Sequence, residues 1–369
     1  MIIRKVKTIA DAIDVSARLA LPHSDLNAKK CYVFCEDKIT LNIERALAEL
    51  SGKGFFNVEV LTFKRYIKSR KSEINMLDKE SSSMVIRKII SELSGELTCF
   101  KKCRIALDFP ETLYELISQL ESAKVTSKDL LKIIETDFEV VPKALLMKLK
   151  DVFTIYEHYE AYLTENGFVD SNAYLSLMPD LIRGDDELKN SAVILSGFPS
   201  VTKQRYDIFK ALSGSVADLT AIVLAGDEKD VYTLETLNAL KNIDKTADIS
   251  DEPTSLTPDA RKILSVLYNP DEIFKRKNSA KEALNSVTVA EVLSAEKEAE
   301  FAAKTALKEV RGGKRFKDIA VAVGDGNAYF PLIEKYFQEY GVPYYLDRPF
   351  NLSDHFITKF VSDYIDLCR

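Results

Sequence analysis

The spacing of apolar positions changes along the chain. Near the start, "IIRKV" (Ile2–Val6), "CYVFC" (Cys31–Cys35) and "FFNVEVLTF" (Phe55–Phe63) are short apolar runs that read as strands. Between them, "IADAIDVSARLAL" and "EDKITLNIERALAEL" carry helical spacing. In the second, Leu41, Ile43, Leu47 and Leu50 predict the buried face and Gly52 the stop. Strands alternating with helices predict a parallel α/β sheet.

The pattern then turns all-helical. "SSSMVIRKIISEL" sets Val85, Ile86, Ile89, Ile90 and Leu93 on one side, and "TLYELISQLESAKV" and "SKDLLKII" follow. A long helix through "KALLMKLKDVFTIYEHYEAYLTENG" repeats Leu149, Val152, Tyr156, Tyr159 and Leu163, a stripe that predicts packing rather than a ligand site. Sheet character returns at "SAVILSGF" and "DLTAIVLAGD", with a helix-length segment between. Residues from about 240 to 286 are polar. "SVTVAEVLS", the helix "EKEAEFAAKTALKEV" and "DIAVAVGDGNAYFPLIEKYFQEYGVPYYLD" predict a second α/β unit, the last segment reading strand, turn, helix, strand. The expected divisions are 1–72 (first part of an α/β domain), 73–180 (helical insertion), 181–250 (its second part), 251–286 (linker) and 287–369 (start of a second α/β domain). "HFITKFVSDYIDLCR" runs to the last residue without a stop signal, which predicts a fragment of a longer protein.

At 369 residues, with 46% hydrophobic and 29% charged residues, the chain can bury substantial cores. It shows neither a bilayer-length apolar run nor a signal-peptide pattern, and a cytoplasmic protein is expected. The net charge of −6 does not suggest a general polyanion binder, so basic character has to be local. "TFKRYIKSRK" (Thr62–Lys71) supplies it, with Lys64, Arg65, Lys68, Arg70 and Lys71 around Phe63 and Tyr66. Of the cysteines, Cys31 and Cys35 lie in a strand and Cys99 and Cys103 flank "FKK"; buried apolar packing outweighs a thiolate metal site. With only His23, His158 and His355, imidazole chemistry has little to work with.

A parallel sheet raises the question of a nucleotide. A phosphate loop needs glycines between the first strand and its helix, so that backbone N–H groups reach the phosphates. Here that segment is "KVKTIADAID", without glycine. The strand "AVILSGFPS" ends in Ser196, Gly197 and Phe198, so no carboxylate stands ready for magnesium. Gly324-Asp325-Gly326 lacks the third glycine of a dinucleotide site. The acidic pair Asp185 and Asp186 reads as solvated loop.

Several ordered segments resemble one family. "DIAVAVGDGNAYFPLIEKYFQEYGVPYYLDRPFNLSDH" resembles the opening of the second motor domain of superfamily 1 helicases, and most nearly that of the AddB family (RexB in some bacteria), the B subunits of the AddAB helicase–nuclease. "CEDKITLNIERAL", "VLTFKRYI", "KLKDVFTIYEHYEAYL...FVDSNAYL" and "VILSGFPSVTKQRYDIFKAL" are similar to family segments in the same order, from about residue 30 to the end. The resemblance implies two RecA-like (P-loop NTPase-like) parallel-sheet domains, the first with a helical insertion and the second truncated. It implies an AddA-type helicase–nuclease partner, DNA ends as substrate and a role in double-strand-break repair. It also implies a nuclease domain beyond this chain, holding the iron–sulfur cluster and magnesium, with no cofactor in this region.

Departures from the family pattern fall on the nucleotide positions: no phosphate loop, Ser196 for an aspartate, and Gly324 where superfamily 1 motors present an arginine. The resemblance therefore implies no catalytic residue here. It carries over single-stranded DNA contacts to Thr62, Phe63 and Arg65, with Lys64 beside them, and to Thr40, preceded by Lys38 in place of a glutamine. Hydroxyls fix register, cations attract phosphates, and an aromatic ring stacks a base for about 1–3 kcal/mol. Phe63 has core packing as its alternative, and Lys68–Lys71 a solvated face. The rival functions are an active ATP-driven helicase and a protein–protein scaffold.

Overall fold

The computed structural model describes the chain except residues 72–73, 102, 104–107, 137–141, 172, 226–230, 268–286, 349–351, 353–354 and 369. Much of the expected linker therefore lies outside the described residues. The fold divides into two compact units, Met1–Ala283 and Leu284–Arg369.

In the first unit, β1 (Ile2–Val6), β2 (Cys31–Cys35), β3 (Val58–Leu61), β6 (Ala192–Ser196), β7 (Asp218–Leu224) and β8 (Asp248–Asp251) form one sheet in the order β3-β2-β6-β7-β1-β8. Every pairing is parallel. All five residues of β2 and of β6 are buried, as expected for central strands covered on both faces. One face is covered by α1 (Ile9–Ala20) and α2 (Asp37–Ser51), through Ala12, Val15, Ile39, Ile43 and Leu47. The other is covered by α3 (Phe63–Arg70), α8 (Met178–Gly184), α10 (Lys203–Ser215) and α11 (Val231–Ile243).

Some expectations shift. The third strand ends at Leu61, because Thr62 caps α3 by accepting a bond from the Arg65 N–H; the basic stretch is a helix. In α2 the buried face is Ile39, Ile43 and Leu47, while Leu41 and Leu50 are exposed. Gly52 ends that helix at φ +62. The edge strand β8, "DISD", has no alternating signal; it is held by its register with β1 and by the Met1 ammonium on Asp244 at 3.0 Å. Asp185 is no solvated loop residue. It caps the short α9 (Asp186–Lys189) and accepts from Tyr66 Oη at 2.5 Å and Arg70 Nε at 2.8 Å. Arg70 also reaches Glu187 and Tyr32, both at 2.9 Å, which pins the end of α3.

A helical body interrupts this unit between β4 (Asn75–Leu77) and β5 (Phe168–Asp170), which pair in parallel. It holds α4 (Lys79–Glu92), α5 (Phe109–Ser122), α6 (Ser127–Thr136) and α7 (Lys143–Asn166). Val152, Tyr156, Tyr159 and Leu163 of α7 pack against Ile86, Ile90 and Ile117, so the tyrosine stripe is core. Its hydroxyls are nonetheless committed. Tyr159 donates to the fully buried Asp170 at 2.6 Å, Ser82 donates to the same carboxylate at 3.2 Å, and Tyr156 donates to the Val125 carbonyl at 3.1 Å.

In the second unit α13 (Ala295–Arg311) packs on α14 (Gly326–Glu339) through Ala299, Ala303, Ile333 and Phe337; α12 (Pro258–Leu267) precedes the unit. The strands expected here are not formed among the described residues: 287–293, 319–323 and 342–347 carry no ladder. A strand needs a neighbouring edge for its N–H and C=O groups, and these segments meet none. Val289 and Leu293 are exposed, and Val321 is 44% exposed rather than buried. The segments at 319–323 and 342–347 instead flank an apolar cleft of about 830 Å³ with Phe330, Ile333 and Phe337. The last helix, α15 (Phe356–Leu367), buries none of its residues.

One half-buried residue with a buried carboxyl oxygen, Glu121, gives the helical body a pH response. Burial, reinforced by the Asp170 and Glu160 carboxylates, pushes the Glu121 carboxyl far above its ordinary range. Folded Glu121 then keeps a proton that the unfolded chain has lost above pH about 4.3, so this group makes stability fall as pH rises. Urea unfolding at a series of pH values should show that decline, and Glu121→Gln should flatten it. An identical decline in the variant would assign the effect to other groups.

Candidate nucleic-acid interface

Parallel pairing aligns the carboxyl ends of β2, β3 and β6, and loops leaving such ends are where open α/β sheets bind ligands. The register Phe34↔Leu61 and Cys35↔Ser196 sets Thr62 beside Cys35 and Gly197 beside Glu36 at the strand ends. Gly197 has φ +74, and a Cβ there would lie 2.4 Å from Ile39 Cδ1, so the turn after β6 needs glycine. A cleft of about 420 Å³ results. Its lining includes Glu36, Asp37, Thr62, Lys64, Arg65 and Arg205.

The expected contact residues divide. Thr62, Phe63, Lys64 and Arg65 all line the cleft. Lys64 and Arg65 are exposed, and Arg65 Nη2 pairs with Asp37 Oδ1 at 3.0 Å. The Thr62 hydroxyl is the cap of α3. Phe63 is 5% exposed, with its ring centre 4.9 Å from Phe34 and stacked at 5.3 Å on Phe198; the packing alternative is the one observed. Thr40 and Lys38 are not among the lining residues. Thr40 is buried and donates to the Asp37 carbonyl at 3.0 Å, while Lys38 stands exposed on the first turn of α2. Of the rest of the basic stretch, Lys68 and Lys71 are exposed and Arg70 is held by Asp185 and Glu187.

Arg205 was not singled out by sequence. Thr202 caps α10 and takes the Arg205 N–H, and the side chain lies back over the strand ends. Its Nη2 is 2.6 Å from Glu36 Oε1, its Nη1 donates to the Ser200 carbonyl at 3.1 Å, and its guanidinium sits 5.4 Å from the Phe198 ring centre. The available signal was an arginine three residues after a cap, behind a strand end. Nothing in the sequence showed that Glu36 would face it.

Where a phosphate loop was sought, β1 leads into α1 through Lys7 and Thr8, and Thr8 caps the helix by accepting from the Asp11 N–H. Asp11 is 5% exposed and accepts from Thr254 Oγ1 at 2.8 Å, Ser255 N at 2.9 Å and Ser255 Oγ at 2.8 Å. Burial pushes its carboxyl up, but these bonds outweigh burial and hold it below its ordinary range. A fixed carboxylate thus stands in the first turn of α1, where a phosphate loop would turn donors toward an anion. At the end of β6, the buried Ser196 hydroxyl accepts from Ser16 Oγ at 2.7 Å.

Gly324-Asp325-Gly326 has a structural task. Asp325 caps α14 by accepting from the Asn327 and Ala328 N–H groups, and a Cβ on Gly326 would lie 2.6 Å from the Phe330 ring. The helix start is filled by its own carboxylate. Cys31 and Cys35 are buried in β2, and burial pushes both thiols up to about 12, so they act as small apolar residues. Among the described residues, no group of three His, Cys, Asp or Glu side chains is arranged to hold a metal, and no helix is long and apolar enough to cross a membrane.

The family described as "ADDB, N-terminal" matches residues 23–261. The chain is also similar to proteins named as the B subunit of an ATP-dependent helicase/deoxyribonuclease. That of Alkaliphilus metalliredigens is 25% identical over 360 residues, covering 92% of this chain and 31% of that protein. Those of Clostridium tetani (23% over 344 residues; 87% and 30%) and Geobacillus thermodenitrificans (25% over 336 residues; 85% and 29%) are similar too. The chain thus spans about three-tenths of the length of these relatives.

Phe63 can be tested as a core residue. Phe63→Ala should cost about 3–5 kcal/mol in urea unfolding, whereas Phe63→Leu should cost less than about 1.5 kcal/mol. A ring that served a base instead would leave stability near wild type in both variants.

Proposed function

This chain belongs to the AddB family, and from that premise we propose that its first unit guides single-stranded DNA without hydrolysing ATP. The observation that carries the reading is the gathering of Thr62, Lys64, Arg65 and Arg205 around one cleft at the carboxyl edge of the sheet. Guanidinium and ammonium groups there suit consecutive phosphates, and a chain of net charge −6 has to place such groups locally. Phe63 supports the cleft floor from within the core.

Two features support the absence of ATP chemistry. The first turn of α1 holds the Asp11 carboxylate, bound by Thr254 and Ser255. The end of β6 offers Ser196 in place of a magnesium-holding acid. A triphosphate entering there meets a like charge and finds no glycine turn. In the reading proposed here, a partner of the AddA type supplies ATP hydrolysis. The complete protein then acts on DNA ends during homologous recombination, in the cytoplasm, with its iron–sulfur cluster and magnesium in a nuclease domain outside this chain.

Binding of a labelled oligothymidylate across a salt series tests this. Lys64→Ala with Arg65→Ala should weaken binding and flatten the log–log salt slope by about 0.7 for each phosphate no longer held. Unchanged affinity and slope would remove the groove assignment. Saturable ATP binding in the micromolar range by calorimetry would overturn the ATPase-inactive reading.

A further inference from the structure

The two arginines of the cleft already hold anions. Arg65 is paired with Asp37 at 3.0 Å and Arg205 with Glu36 at 2.6 Å. Both carboxylates sit at the start of α2, where the helix field favours negative charge. Glu36 is the N-cap residue, yet its side chain makes no cap bond, which leaves the carboxylate to Arg205. By contrast, Lys64 shows no ion pair among the described residues. The lining therefore sets Lys64, Arg65 and Arg205 against Glu36 and Asp37, a small cationic excess.

Such an arrangement discriminates between ligands. Exchanging Asp37 for one free phosphate at Arg65 is nearly even, because an exposed ion pair is worth about 0.2–1 kcal/mol. The part-buried Glu36–Arg205 pair gives way less readily to a single phosphate. Two phosphates on one strand change the balance, since the second exchange becomes intramolecular once the first has occurred. Resting on the single-strand reading above, we propose that Glu36 and Asp37 are the selectivity residues of this cleft. They hold Arg205 and Arg65 until two phosphates of one polynucleotide displace both, which rejects free phosphate and mononucleotides. Lys64 makes the first contact, and the arginines are handed over afterwards.

The test uses the full chain, a fluorescein-labelled oligothymidylate of about 20 nucleotides, and inorganic phosphate as competitor. Glu36→Gln and Asp37→Asn should each tighten oligonucleotide binding about two- to fivefold. Each should also steepen the log–log salt slope by about 0.7, because a freed arginine takes up and later releases a counterion. Inorganic phosphate should compete at lower concentration with the double variant than with wild type. Circular dichroism checks that the variants fold, and Asp37→Asn, at a side chain 72% exposed, keeps the test open if the double variant does not. If Arg65→Ala weakens binding while the folded carboxylate variants bind no tighter, the selectivity role is wrong and the groove stands. If Arg65→Ala and Arg205→Ala also leave binding unchanged, the single-strand reading itself falls.

Discussion

The position of β2 between β3 and β6 is the constraint on which the rest depends. "CYVFC" is apolar throughout and buried throughout, so the strand is stable only with neighbours on both edges and helices on both faces. Parallel ladders with fixed register then bring the ends of β2, β3 and β6 to one level. Everything in the cleft follows from that level: Glu36 and Asp37 leave β2, Thr62 and Arg65 leave β3, and Gly197 turns Phe198 inward beneath them. The aromatic floor of Phe34, Phe63, Phe198 and Phe209 is the same constraint seen from inside the core.

How much of this could be read from the sequence depended on whether one segment decides the outcome alone. The strands at Ile2–Val6, Cys31–Cys35, Ala192–Ser196 and Asp218–Leu224 were legible because each is apolar enough to be recognised without its partners. The edge strand "DISD" was not, because backbone pairing to β1 and the Asp244 contact with Met1 hold it rather than its own side chains. The runs near 319–323 and 342–347 show the converse: strand composition remains coil where no edge is offered. Phe63 looked equally suited to a base or a core, and only the three-dimensional approach of Phe198 decides. Thr62, Lys64 and Arg65 were legible as a group because they are contiguous. Arg205 needed the fold, since its partner Glu36 is 169 residues away.

The start of α1 shows how the N-terminus of a helix can be occupied by the chain itself. Helix N-termini carry partial positive charge and unsatisfied N–H groups, and some anion settles there. Here Asp11 fills the role, and Thr254 and Ser255 tie it to the segment following β8. The carboxylate thereby becomes a contact between α1, which follows the first strand, and the segment after the last strand of the sheet. The second unit repeats the device on a smaller scale, with Asp325 closing the start of α14.

The parallel pairing of β4 with β5 has a topological meaning. In this parallel pair the chain leaves for the helical body at the Leu77 end and returns at the Phe168 end, beside Asn75, so the body carries it back along the length of the strands. The whole helical body is the crossover connection between two strands of three residues each. Closing such a connection costs little extra entropy as it lengthens. The helical body has its own core, centred on Ile86, Ile117, Ile155 and Tyr159. It is also anchored beyond that strand pair: Lys124 pairs with Asp207 and Gln204 Nε2 donates to the Glu121 carbonyl at 3.3 Å, so a body with its own core is tied to α10, the helix that carries Arg205.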